Sequence, residues 1–187
     1  MKHLLRKKLI EKRKSLSKEQ VFEKSERIQQ RLFNLDEFKN SSTILFYVSY
    51  DNEVFTHNMI KESISLRKKV IVPISVIKDR TLLLSRLERF QNLQVGSYGI
   101  LEPRPDTIKK TPIDKIDIMI VPGVGFDRSG HRIGHGKGYY DNLLKISKNH
   151  LHIGLAFECQ IVDQIPIESH DLPVKRIITE KRIINCV

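Results

Sequence analysis

The sequence predicts an α/β domain built on a mostly parallel β-sheet with helices on both faces. Two observations carry this prediction. Strand-like runs alternate with helical patterns along most of the chain, and the runs TILFYVS (43–49), KVIVPI (69–74) and IDIMIV (116–121) are close to continuously apolar. Strands of a parallel sheet are buried on both faces and read this way, whereas a sheet with one wet face alternates apolar and polar residues. The length of 187 residues, with 40% hydrophobic and 29% charged content, suits one domain with a substantial core.

Taken in order, residues 2–14 read as a basic helix with Leu5 and Leu9 on one face. Ser17 followed by Gln20 has capping-box spacing, so a second helix opens there and runs to about Phe33, with Val21, Phe22, Ile28 and Leu32 as its apolar positions. We expect residues 1–34 to form basic N-terminal helices packed on the α/β core of a single domain spanning 1–187. The run 43–49 is a β-branched and aromatic strand. Thr56 to Arg67 is helix-like, Lys69–Ile74 is a strand, and Thr81–Leu87 is another. Residues 88–115 hold turn signals: Gly96, Gly99 and the triplet Pro103, Arg104, Pro105. Ile116–Val121 is a strand leading directly into a glycine-rich segment. Tyr139–Ser147 reads as a helix, Leu151–Ala156 as a strand, and Arg176–Thr179 with Arg182–Asn185 as terminal strands.

Bulk properties narrow the function classes. No apolar run approaches 18 residues, so a membrane-spanning helix is not expected. The N-terminal MKHLLRKKLIEKRK is too charged to hold a signal-peptide core, and Glu11 argues against a transit peptide. Cys159 and Cys186 show no CxxC spacing, which favours two reduced thiols and a cytoplasmic location. Net charge is +11 with a pI near 9.7. That balance attracts polyanions such as nucleic acid, anionic lipid or phosphorylated small molecules, and it is equally what a basic host proteome produces.

The segment VPGVGFDRSGHRIGHGKGYY (121–140), followed by Asp141, is the most informative in the chain. Gly123, Gly125, Gly134, Gly136 and Gly138 make up more than half of the nine glycines, and Arg128, Arg132 and Lys137 lie among them. Glycine lets backbone approach a ligand closely, and cations beside exposed N–H groups suit an anion. The segment follows a strand and precedes a helix, where ligands of α/β sheets collect. It is not a Walker A motif: His131 stands where the first glycine belongs, and Gly138 where the hydroxyl belongs. Nor is it GxGxxG, because the third glycine of GHGKG comes one position early. His131 and His135 are four apart, but the glycines between them make a helical zinc pair unexpected. Asp141 reads either as an acid in the first turn of the next helix or as a Mg²⁺ ligand. Asp51, Glu53 and His57 form a polar group after the first strand. Lys2 and Arg6, four apart on one helix face, would converge on the same anion if that helix packs near the loop.

Residues 121–141 match almost throughout the signature of the 5-formyltetrahydrofolate cyclo-ligase family, which the chain therefore resembles. The resemblance extends over nearly the whole chain. It includes Lys2 and Arg6, Arg13 with the serine-rich helix start after it, Ser49 through Glu53 and Val54 to Thr56, Gly99–Pro103, and His170-Asp171 ahead of Thr179-Glu180. It implies a three-layer Rossmann-like fold and an ATP- and Mg²⁺-dependent cyclisation of 5-formyltetrahydrofolate to 5,10-methenyltetrahydrofolate, with release of ADP and phosphate. By the same resemblance Lys2, Arg6, Arg132, Ile133, Gly134, His135, Gly136, Lys137, Gly138, Tyr139 and Tyr140 bind ATP. Val48, Glu53 and residues His135 to Tyr139 border the folate, with either Tyr139 or Tyr140 offering its ring. Asp141 and Asp171 hold Mg²⁺, and Lys137, Arg132 and Tyr140 act in catalysis. The expected partners are the folate and ATP, with no nucleic acid and no membrane, and the expected state is a monomer. Phe55 stands where many relatives carry an acid, which would remove a polar contact near the folate. A nucleic-acid-binding module is the rival reading, but strands with the aromatic pattern of RNA-binding sheets are missing.

Overall fold

The computed structural model describes residues 2–168 and 171–186; His170 lies outside the described residues. The elements run α1 (Lys2–Lys14), α2 (Lys18–Asn34), α3 (Asp36–Asn40), β1 (Thr43–Leu45), α4 (His57–Ser65), β2 (Lys69–Val76), β3 (Thr81–Leu87), β4 (Leu93–Val95) and β5 (Leu101–Pro103). They continue as β6 (Ile118–Val121), β7 (Gly125–Asp127), β8 (Arg132–Ile133), α5 (Tyr139–Ile146), β9 (Leu151–Leu155), β10 (Ile161–Val162), β11 (Arg176–Ile178) and β12 (Ile183–Asn185).

The main sheet has the order β12-β11-β9-β6-β1-β2-β3. Its inner neighbours β11-β9, β9-β6, β6-β1 and β1-β2 pair in parallel, and the edges β3 and β12 run antiparallel. Successive residues of a strand face opposite sides of the sheet, and β1 shows the consequence. Ile44 joins a core with Ile28 and Leu32 of α2, Phe38 of α3 and Met59 and Ile60 of α4. Leu45 faces the other way, toward Ile71, Met119 and Leu143 of α5. Helices therefore cover both faces, which explains the continuous apolar runs in the sequence.

Ser17 caps α2: its hydroxyl accepts from the Gln20 N–H at 3.2 Å, and Gln20 Oε1 accepts from the Ser17 N–H at 2.9 Å. Phe22, expected on the apolar face of this helix, is 47% exposed and stacks with Phe55 at 4.7 Å instead. The run 43–49 pairs only over its first three residues. Beyond Phe46, polar side chains of the following turn take over the backbone groups: Thr56 Oγ1 donates to the Tyr47 carbonyl and accepts from the Ser49 N–H, and Ser49 Oγ accepts from the Thr56 N–H. The chain thus leaves the sheet at the carboxyl end of β1 while remaining buried. The region read as turns holds the β4–β5 hairpin, and the glycine-rich segment holds another, β7–β8.

β10, β7 and β8 form a small separate sheet. α1 packs on it through Leu9, which clusters with Val124, Ile133 and Ile165. Asp127, 2% exposed, organises this sheet. Its Oδ1 accepts from the Ser129 and His131 N–H groups and its Oδ2 from the Ile165 N–H, all at 3.0 Å. Removing a buried acceptor strands each donor at the cost of its desolvation. Asp127→Ala should therefore lower stability by about 3 kcal/mol, read as a fall in the urea midpoint at an unchanged slope. Asp127→Asn, which keeps one acceptor oxygen, should lose less.

Candidate active site

A cleft of about 500 Å³ opens where the chain leaves β1, β2 and β6, among Tyr47 and Val48, Pro73 and Ser75, and Pro122 and Gly123. Carboxyl ends of parallel strands are where such folds gather ligands, and the volume suits a small-molecule site. Lys2, Arg6, Val48, Glu53, the whole run Arg132 to Asp141, and Asp171 all line it.

α1 reaches the cleft because the chain beneath it is bare. A Cβ on Gly125 would collide with the Leu9 side chain, so glycine at this position lets the helix seat closely on β7. That docking brings Arg6 to the glycine loop, where its Nε donates to the Gly134 carbonyl at 2.8 Å. Lys2 Nζ lies 2.6 Å from Asp171 Oδ2 and 3.1 Å from Glu168 Oε1. Burial alone would lower the Lys2 pKa, but its hydrogen bonds to Asp171 and Glu168 outweigh this and raise it.

The loop between β8 and α5 turns through Gly136 (φ 86°) and Gly138 (φ 79°), left-handed conformations that favour glycine. Gly138 is the N-cap of α5 and supplies no side-chain cap, and Gly138 to Asp141 at the start of this helix line the cleft. Just before the loop, Arg132 is almost fully buried and donates through Nη2 to Asp141 Oδ1 at 2.6 Å. Burial lowers its pKa, and the charges of Asp141, Tyr140 and Asp171 oppose that. Among the described residues its Nε has no hydrogen-bond partner, and neither does the buried Tyr140 hydroxyl. Burial, with the Glu53 charge adding to it, raises the Tyr140 pKa far above the ordinary phenol value. Tyr140 therefore stays a neutral donor, and both of these buried polar groups border the cleft.

Glu53, Tyr47, Val48, Tyr50 and His135 line another part of the cleft. Glu53 is 6% exposed. Its Oε2 accepts from the Tyr50 N–H at 3.2 Å, and its Oε1 lies 3.6 Å from His135 Nε2. Val48 and Tyr47 are buried beside it. Lys137 leaves this end and sits over the Tyr98 ring, 2.9 Å from its centroid, while the Tyr98 and Tyr139 hydroxyls meet at 3.2 Å. The glycine loop thus touches the β4–β5 hairpin across the cleft.

Several sequence readings take other places. Arg128 is exposed and does not line the cleft, so only two of the three cations in the glycine segment do. His131 bonds Asp127 through Nδ1 at 3.2 Å rather than joining His135. Phe55 packs between Phe22 and His57 and does not line the cleft. Among the described residues no group of three or more His, Cys, Asp or Glu side chains could hold a metal. Tyr47, Tyr50, Arg80, Tyr98 and Lys145 also line the cleft and were not singled out. Their only sequence signal is weak: Tyr98 lies between Gly96 and Gly99, and its position over the cleft depends on the β4–β5 hairpin.

The chain matches the model of the 5-formyltetrahydrofolate cyclo-ligase family over residues 1–180. The 5-formyltetrahydrofolate cyclo-ligase of Mus musculus is 30% identical over 186 residues, covering 94% of this chain and 92% of the mouse protein. That of Haemophilus influenzae is 30% identical over 165 residues, covering 87% and 88%. Among solved structures, the 5,10-methenyltetrahydrofolate synthetase of Aquifex aeolicus superposes with a TM-score of 0.87 at 35% identity, covering 98% of this chain and 92% of that one. The enzyme from Mycoplasma pneumoniae gives 0.76 at 25% identity, covering 96% and 98%. With the family's signature running along one wall of the cleft, this chain belongs to the 5-formyltetrahydrofolate cyclo-ligase family, enzymes that close a carbon–nitrogen bond.

Proposed function

We propose that the cleft joins ATP and 5-formyltetrahydrofolate and closes the 5,10-methenyl bridge with release of ADP and phosphate. The observation that carries this reading is the division of one cleft into a cationic end and a carboxylate-and-tyrosine end that share the glycine loop. Lys2, Arg6 and Arg132 supply positive charge at the first. Glu53, Val48, Tyr47 and His135 line the second. A polyphosphate suits the one, and a flat ring with N–H donors suits the other.

The formyl group on N5 is a poor electrophile with a poor leaving oxygen. In the proposed sequence that oxygen attacks the γ-phosphorus of ATP, and the bond to the bridging oxygen of ADP breaks. N10 then adds to the activated formyl carbon and gives up its proton. The C–O bond cleaves, phosphate departs with its electron pair, and the methenyl bridge remains. Phosphoryl transfer asks for positioning and charge neutralisation rather than a protein nucleophile. Arg132 and Lys137 neutralise the transferring phosphoryl group, and the neutral Tyr140 hydroxyl donates to an oxygen of the reacting pair. Glu53 accepts from the pterin N–H groups, and the backbone of Gly134 to Gly138 contacts both ligands.

Asp141 and Asp171 are hard oxygen donors on the same cleft, and both charges act on Arg132 between them. Such a pair fits Mg²⁺, which takes one or two carboxylates and fills its remaining positions with phosphate oxygens and water. Bound there, Mg²⁺ would offset phosphate charge. Lys2 and Arg132, which now pair with these acids, would turn toward the phosphates.

Formation of the methenyl chromophore from 5-formyltetrahydrofolate, ATP and Mg²⁺ tests the reading directly, and no absorbance change with active ATP would refute it. Lys137→Ala should lower kcat/KM about 100-fold, as for loss of one group aimed at developing charge. Asp141→Asn, which keeps an oxygen for Arg132, should raise the Mg²⁺ concentration needed for half-maximal rate. Glu53→Gln should raise KM for the folate about tenfold, with KM for ATP unchanged, since a lost charge-assisted hydrogen bond is worth about one such factor.

A further inference from the structure

Arg13 is 1% exposed at the last turn of α1, and among the described residues its Nε, Nη1 and Nη2 all lack hydrogen-bond partners. A guanidinium stays charged at any working pH, so this is a buried cation with no donor satisfied. Such groups are rare in folded proteins and call for a cause. The nearest opposite charges are Glu53, whose Oε1 lies 3.9 Å from Nη1, and Asp51, whose Oδ2 lies 3.8 Å from Nη2. Neither distance is a hydrogen bond, so the interaction is one of charge.

The loop that carries these two acids is tied to the same helix end. Asn52 Nδ2 donates to the carbonyls of Leu16 at 3.1 Å and Arg13 at 3.4 Å. Asp51 takes a left-handed φ of 51°, a conformation that costs energy unless its surroundings hold it. Tyr47 and Tyr50, beside Glu53, are each raised in pKa by burial first and then by the Glu53 charge, with Arg13 opposing. A buried glutamate, a buried arginine and two tyrosines thus form one electrostatic unit, with Arg13 behind the Glu53, Tyr47 and Tyr50 wall of the cleft.

We propose that Arg13 is a positioning residue for folate recognition: its buried charge holds the Glu53 carboxylate aimed at the ring, so that α1 organises both ends of the cleft. This rests on the reading of Glu53 as the acceptor for the pterin. Lys2 and Arg13 are separated by eleven residues of one helix, about 16 Å at the α-helical rise, so a single rigid element sets the spacing between the phosphate end and the ring end. Keeping Arg13 off hydrogen-bonding distance leaves the carboxylate's lone pairs available to substrate N–H groups instead of consuming them.

The test compares wild type, Arg13→Met, Arg13→Lys, Glu53→Gln and the Arg13→Met/Glu53→Gln double variant in full-length protein. Thermal unfolding monitors integrity, and KM for each substrate and kcat are measured by methenyl formation. Arg13→Met should raise KM for the folate about tenfold, with KM for ATP and kcat within about twofold of wild type. Arg13→Lys, which restores the charge on a shorter head, should recover most of that loss. In the Glu53→Gln background Arg13→Met should add little, because the residue acts through Glu53. The proposal is overturned if KM for the folate is unchanged, if both KM values rise together with a falling kcat, or if the two substitutions are additive. Should Arg13→Met not fold, Arg13→Gln, which removes the charge but keeps a polar head, carries the test through the same selective rise in folate KM, and its absence overturns the proposal. A wild-type protein without turnover would instead refute the cyclo-ligase reading itself.

Discussion

The seating of α1 on the small β7–β8–β10 sheet is the contact on which the site depends. Leu9 occupies the space above Gly125 that any larger residue would fill, and Arg6 closes the contact with its bond to the Gly134 carbonyl. Without it the cleft has no wall carrying Lys2 and Arg6, and the glycine loop has nothing to brace it on that side. A close backbone approach of this kind is the use of glycine that most repays its entropic cost. The buried Asp127 holds the same small sheet from the other side, so docking and loop geometry are set by neighbouring, mutually supporting contacts.

Several charges in and behind the cleft wall are paired within the protein. Lys2 is held by Asp171 and Glu168, Arg132 by Asp141, and Arg13 faces Asp51 and Glu53. Isolated buried charge is expensive, so a site lined with cations and acids is stabilised by pairing them with one another. Anionic substrate and a divalent cation can then exchange partners with these pairs, replacing one set of ion contacts with another. Tyr140 and the Nε of Arg132 are different, since they have no partner to give up. Those two groups are where a ligand gains hydrogen bonds without breaking any.

Much of this was legible in the order of residues. The apolar runs predicted buried parallel strands, and β1, β2, β6, β9 and β11 pair in that way. The capping-box spacing at Ser17 and Gln20 predicted the start of α2. Local signals worked where the physics is local. They failed at Phe22, whose helical phase looked apolar but whose face met Phe55 at the surface. They also missed the β4–β5 hairpin, because its short strands carry little periodicity. The extent of β1 was overstated because the sequence could not show Thr56 and Ser49 capturing the backbone beyond Phe46.

By itself, the sequence determined the fold class, the glycine-rich loop between strand and helix, and the family whose signature that loop carries. Each of these is written in neighbouring residues, through side-chain period, turn chemistry and motif spacing. Only the tertiary structure decided that Lys2, Glu53 and Asp171 line one cleft with the loop, that Arg128 and Phe55 stand outside it, and that Tyr98 lies under Lys137. It alone decided that Arg13 is buried behind Glu53. The physical reason is that these arrangements depend on contacts between residues far apart in the chain. Such contacts come from packing a helix on a bare glycine and from satisfying buried charge, and neither leaves a period or spacing in the sequence.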